Sequence, residues 1–209
     1  MSKKEIIYVG DPMCSWCWGF SPVIKKIKSD YRNWVTISLI VGGLRTGTGE
    51  IMDEPMKEYI RHHWESVKTT TGQPFNFDFF ERDDFVYDTL PSCKAVVAFR
   101  DKQPDKVFEY FDALQNAFYA RNRDITSPSV LAEIASEFGV DADEFLALFN
   151  SEDIGFLTPF DFQFARDNGV SGFPSVLLRT SNDFIRLATG YQPFEAIVHD
   201  LETWILEDS

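Results

Sequence analysis

The chain has 209 residues, 44% of them hydrophobic and 25% charged, an ordinary balance for a globular protein that excludes a largely disordered chain. Twenty Lys and Arg against 33 Asp and Glu leave a formal net charge of −13, which repels phosphate backbones and argues against a nucleic-acid partner. Three cysteines are too few for a disulfide framework, and no apolar run approaches the roughly 18 residues that span a membrane.

Residues 1–9 hold two lysines and a short apolar stretch. They lack the apolar region of about 7–15 residues and the small-residue cleavage site of a secretory leader, so a cytoplasmic location is expected. Residues 5–9 read as a first strand, closed by Gly10-Asp11-Pro12. A helix follows, with Phe20, Val23, Ile24, Ile27 and Tyr31 at helical spacing. Pro22 falls inside it and implies a kink. Residues 34–41 alternate as a second strand, which Gly42-Gly43 ends.

From about residue 46 to residue 169 the apolar patterns are helical. Met56, Tyr59, Ile60, His63, Trp64 and Val67 form one stripe, and Val107, Phe108, Phe111, Leu114 and Phe118 another. Residues 69–91 show little periodicity and read as loop. Ser127-Pro128 has the form of a helix start and Gly139 of its stop; Asp141 and Glu144 have capping-box spacing. Thr158-Pro159 reads as a further helix start, with Gly169 as its end. Residues 175–179 and 184–189 then form two strands joined by a turn-rich hairpin connection, and Pro193 starts a last helix. Without the helical stretch the order is βαβ–ββα, an α/β arrangement. Residues 1–45 and 170–209 thus read as one discontinuous domain and 46–169 as a helical insertion.

Cys14-Ser15-Trp16-Cys17 lies where the first strand hands over to the first helix. A sulfur at a helix N-terminus faces unpaired N–H groups and the positive end of the helix dipole, both of which favour the thiolate. A second cysteine one turn on can close a small disulfide, giving an exposed nucleophile and a shielded resolving thiol. No second C-x-x-C accompanies the pair, and the adjacent His62 and His63 lack ligand spacing, so redox chemistry is preferred to a zinc site. Cys93, after Pro91-Ser92 at a helix start, reads as a small buried residue rather than a third redox thiol. His63 reads as a core or groove histidine. Asp11 fits two roles, proton acceptor for Cys17 or cap of the turn. Gly42-Gly43 permits close backbone packing; a position for Arg45 near the active site is the less favoured of its two readings. Trp16 and Trp18 suit either a docking surface or packing.

With Asp11-Pro12-Met13-Cys14-Ser15-Trp16-Cys17-Trp18-Gly19-Phe20 and Gly172-Phe173-Pro174-Ser175, the chain resembles the thioredoxin superfamily over its whole length. It is most similar to the DsbA-like branch, and within it to the cytoplasmic disulfide-isomerase group near the FrnE-type proteins and 2-hydroxychromene-2-carboxylate isomerases. The resemblance implies a thioredoxin-like fold with a large helical insertion. It implies Cys14 as the attacking and Cys17 as the resolving cysteine, a cis Pro174 packed against the pair, and Phe173 presenting backbone to substrate. DsbA has His directly before its second cysteine, where this chain has Trp16. A neutral indole supplies no charge there, so the expected potential is less oxidising, roughly −270 to −180 mV.

The expected activity is thiol–disulfide exchange on protein or small-molecule disulfides and thiols. No bound cofactor or metal is expected, and glutathione or another thiol is the electron donor. The alternative enzyme is a glutathione-dependent transferase or isomerase of the kappa-class or chromene-carboxylate type, relatives that commonly carry Ser at the nucleophile position. A third reading is a binding module with incidental cysteines.

Overall fold

The computed structural model describes residues 3–207. The elements run β1 (Lys4–Gly10), α1 (Ser15–Asp30), β2 (Val35–Val41), α2 (Glu54–Thr71), α3 (Leu90–Lys102), α4 (Val107–Tyr119), α5 (Pro128–Ser136), α6 (Ala142–Phe149), α7 (Glu152–Asp167), β3 (Ser175–Arg179), β4 (Phe184–Thr189) and α8 (Phe194–Leu206). Among the described residues no helix is long and apolar enough to cross a membrane.

Four strands form a sheet in the order β2-β1-β3-β4. β1 and β2 are parallel, which requires a crossover connection, and α1 supplies it. β3 runs antiparallel to both β1 and β4. β1 is central and its residues alternate between two buried faces. Ile6 and Tyr8 enter the large core with Val176 and Leu178, while Ile7 and Val9 pack with Leu177 and Ala165 on the other face. Ala165 belongs to α7, so a helix from the long helical stretch covers one side of the sheet.

The register places the site. Val9 pairs with Ser175, and Gly10 pairs with Val41. The C-terminal ends of β1 and β2 therefore meet the N-terminal end of β3. The segments that follow β1 and β2 and the one that precedes β3 converge at one edge of the sheet. A part-buried ion pair braces this end: Arg100 of α3 donates from both terminal nitrogens to Asp161 of α7, each at 2.8 Å, and to the carbonyl of Leu39 at 2.6 Å. Asp161 also accepts from the Val41 N–H at 2.9 Å.

Three local expectations are corrected. The second strand starts at Val35; Trp34 is 53% exposed and stays outside it. Thr158-Pro159 does not open a helix. α7 begins at Glu152, capped by the Ser151 hydroxyl, and Pro159 lies inside it. The proline removes one hydrogen bond, but Ile154, Thr158, Asp161, Phe162 and Ala165 bury one face of the helix across it. Residues 69–91 are not plain loop: α2 extends through Thr71, and Phe77–Glu81 forms a 3-10 turn. Its rings pack around the fully buried Trp64, with Phe79 at 5.0 Å and Phe80 at 4.8 Å between centroids. Ring packing of this kind needs no helical period. Pro128 occupies the first turn of α5 as its spacing predicts, and Asp141 caps α6 by accepting from Asp143 N and Glu144 N, but the capping box is half formed because the Glu144 carboxylate pairs with Lys102 at 2.9 Å instead.

Candidate active site

Cys14 is the N-cap of α1, with extended backbone. Its N–H donates to the Asp11 carbonyl at 3.1 Å, and its own carbonyl accepts the first helical bond, from Trp18. This geometry aims a free N–H of the first turn at the sulfur: Cys17 N donates to Cys14 Sγ at 3.4 Å. On the other side Cys14 Sγ donates to the Phe173 carbonyl at 3.5 Å. The peptide joining Phe173 to Pro174 is cis. All three cysteines are free thiols. Cys17 is fully buried, and burial together with the neighbouring Cys14 thiol pushes its pKa well above the ordinary value. The contrast between an exposed nucleophile and a shielded partner is smaller than the spacing suggests. Cys14 is only 5% exposed and reaches solvent through a groove.

That groove, of about 450 Å3, runs between the Cys14 turn and α2. Cys14, Trp16, Phe173 and Gly172 form one wall, and Met56, Tyr59, Ile60 and His63 of α2 face them. The α2 stripe thus divides. Trp64 and Val67 enter the core, whereas His63 meets the exposed Tyr59 edge-on at 4.6 Å. Trp16 is half-buried and packs on Tyr191 at 5.7 Å. Trp18 points inward instead, stacking on Tyr119 and donating to the Pro74 carbonyl at 3.1 Å. The two tryptophans of the motif have therefore separated, one to the groove and one to the core.

Asp11 is fully buried and ties the converging segments together. One carboxylate oxygen accepts from Met13 N at 2.8 Å; the other accepts from Leu44 N at 2.7 Å and from the Cys93 thiol at 3.2 Å. Burial raises its pKa, and these hydrogen bonds offset the rise in part. Cys93 is buried as a small residue would be, and it also satisfies a buried carboxylate. Its own pKa is pushed well up by burial and then by the Asp11 charge. The Tyr87 hydroxyl completes the bracing by donating to the Met13 carbonyl at 2.6 Å.

Gly42 allows the tightest approach. A Cβ there would lie 2.0 Å from Phe173 Cε1. Its N–H donates to the Gly10 carbonyl at 2.8 Å, which carries the β1–β2 ladder one step past the strands. The Asp11–Cys93 pair, and Tyr87 bracing the turn, were not separable in the sequence. Their partners lie 82 and 74 residues away. Among the described residues no group of three or more His, Cys, Asp or Glu is arranged to hold a metal ion.

A family model described as the DSBA-like thioredoxin domain matches residues 5–202. A solved structure from Nitrosomonas europaea, provisionally assigned as a protein disulfide isomerase, superposes with a TM-score of 0.93 at 37% identity over 100% of both chains. The cytosolic disulfide reductase DsbM of Pseudomonas aeruginosa superposes with a TM-score of 0.80 at 25% identity, covering 96% of this chain and 98% of that one. The ClpXP adapter protein SpxH of Halalkalibacterium halodurans is 25% identical over 95% of this chain. This chain spans 66% of that relative's length. A strand-to-helix turn that ends in a capping cysteine, a second cysteine one turn on, and strand ends that bring a cis-proline segment against them agree with that match, and the chain belongs to the DSBA-like thioredoxin domain family.

Proposed function

We propose that the protein is a thiol–disulfide oxidoreductase acting in the reductase or isomerase direction. The observation that carries this reading is the position of Cys14 Sγ. It lines an open groove and receives an N–H from the first turn of α1, with the Cys17 thiol shielded behind it. The Cys14 thiolate attacks one sulfur of a substrate disulfide. A mixed disulfide forms and the other substrate sulfur leaves as a thiolate. Cys17, once deprotonated, attacks Cys14 Sγ; the intramolecular disulfide forms and the second substrate thiol is released. The substrate gains two electrons and the pair loses two. Two equivalents of glutathione or another thiol return them. The Phe173 carbonyl and the half-buried Trp16 ring hold the substrate chain beside Cys14. The SpxH relatives point to a different role, as adapters. An adapter reading also has a surface to use, since Phe156 and Phe160 of α7 are each 68% exposed.

The test is a Cys17→Ser variant, which is expected to accumulate a mixed disulfide at Cys14 that mass spectrometry detects. The wild-type pair, equilibrated in glutathione buffers, is expected to titrate as a two-electron couple at roughly −270 to −180 mV, since Trp16 supplies no charge to the thiolate. Glutathione bound without exchange would favour the transferase or isomerase alternative. Neither exchange nor binding would leave the adapter reading.

A further inference from the structure

The groove contains a charged group that the exchange chemistry does not use. Among its lining residues Arg45 is the one with a permanent charge, and no Asp or Glu lines it. Its backbone is held on both sides: Arg45 N donates to Thr89 Oγ1 at 3.2 Å, and its carbonyl accepts from Thr89 N at 2.8 Å. Its side-chain Nε is buried and has no hydrogen-bond partner among the described residues. A buried donor left unmade is costly and uncommon in native proteins. The surroundings are apolar and aromatic, with Met56, Ile60 and Tyr87 in the same lining. The chain as a whole carries a net charge of −13, so its long-range field disfavours anions. A guanidinium whose Nε is buried and unbonded, in the groove that Cys14 also lines, is therefore a local exception, and its planar fork matches a carboxylate.

We infer that Arg45 sets substrate specificity, by receiving the carboxylate of a small thiol or disulfide whose sulfur reacts at Cys14. This rests on the oxidoreductase reading and adds the chemical class of the substrate. The groove volume of about 450 Å3 lies in the range of small-molecule sites. When the substrate is a disulfide, the Cys14 thiolate attacks the near sulfur, the protein–substrate S–S bond forms, and the far half leaves as a thiolate. Arg45 holds the carboxylate throughout and takes no part in electron transfer.

The experiment measures single-turnover oxidation of the reduced protein by three matched disulfides: anionic 3,3′-dithiodipropionate, neutral bis(2-hydroxyethyl) disulfide and cationic cystamine. Arg45→Gln is expected to slow the anionic reaction about tenfold or more, the size of one charge-assisted hydrogen bond, while the neutral reaction is unchanged. Arg45→Lys, which keeps the charge and loses the fork, is expected to recover part of the loss. An equal loss with all three disulfides assigns Arg45 a structural role and overturns the inference. So does an unchanged anionic rate, or a loss seen in insulin reduction but not with the small disulfides. If the wild type reacts with none of them at Cys14, the exchange reading fails as well, and the two failures are told apart.

Discussion

Gly42→Ala tests how closely the loop after β2 and the segment before β3 are fitted around Cys14. Gly42 does not have positive φ, so alanine meets no backbone strain and only the new methyl matters. That methyl would lie 2.0 Å from Phe173 Cε1, 2.1 Å from Cζ and 2.8 Å from Cδ1. Relaxed carbon contacts sit near 3.5–4.0 Å, so the ring must move by roughly 1.5 Å. Two movements are open to it. The ring turns into the groove that Phe173 lines, or the Phe173 backbone shifts and weakens the contact between its carbonyl and Cys14 Sγ. Overpacking of this kind costs about 1–3 kcal/mol. In a chain of this length that lowers the melting temperature by roughly 2–12 °C. Thermal unfolding followed by circular dichroism measures the first effect, and stopped-flow oxidation of Cys14 by a small disulfide measures the second, as a slower reaction. Phe173→Leu added to Gly42→Ala removes the clashing ring edge, so the double variant is expected to be more stable than the sum of the single changes predicts. A single variant that melts within 1 °C of wild type, or a double variant with purely additive effects, would refute the claim that these two residues are in enforced contact.

Three further outcomes follow from buried groups. Because Asp11 has its pKa raised by burial, its protonated form favours the folded state; that contribution is full below the unfolded value of about 3.9 and is lost as pH rises through the folded value. The melting temperature of Asp11→Asn minus that of wild type is therefore expected to grow with pH above about 4, and a flat difference from pH 3 to 8 would contradict it. Cys93→Ser keeps a donor to Asp11 and is expected to leave the formation of the Cys14–Cys17 disulfide and turnover intact, whereas Cys93→Val removes that donor and is expected to cost about 1–3 kcal/mol in urea unfolding. Asp161→Ala leaves Arg100 and the Val41 N–H without their acceptor, and is expected to cost about 3 kcal/mol by the same measurement, reduced by the partial exposure of Arg100.

Alternation and turn residues were enough to place the four strands, because each strand is short, rich in β-branched or aliphatic residues, and bounded by Gly, Pro, Asn or Asp. The same holds for α1 and for α8. The Cys14–Cys17 pair at a strand-to-helix turn was legible for a local reason: a capping residue and the N–H groups it serves lie within four residues of each other. The reading failed where burial came from distant partners. Pro159 looked like a helix start because proline favours the first turn, yet packing of α7 along the sheet and against α3 holds the helix through it. The ring cluster around Trp64 gave no period, because its members come from α2, the 3-10 turn and α4.

The sequence by itself determined the strand and helix inventory, the dithiol motif and the acidic balance, all of which depend on neighbours along the chain. Only the tertiary structure decided what surrounds the sulfur. The sheet register sets Val9 against Ser175 and Gly10 against Val41. It thereby brings Phe173, Arg45 and Cys14 to one groove, and Asp11 against Cys93. Such pairings depend on loop closure over tens of residues, and no local pattern encodes which segments meet there.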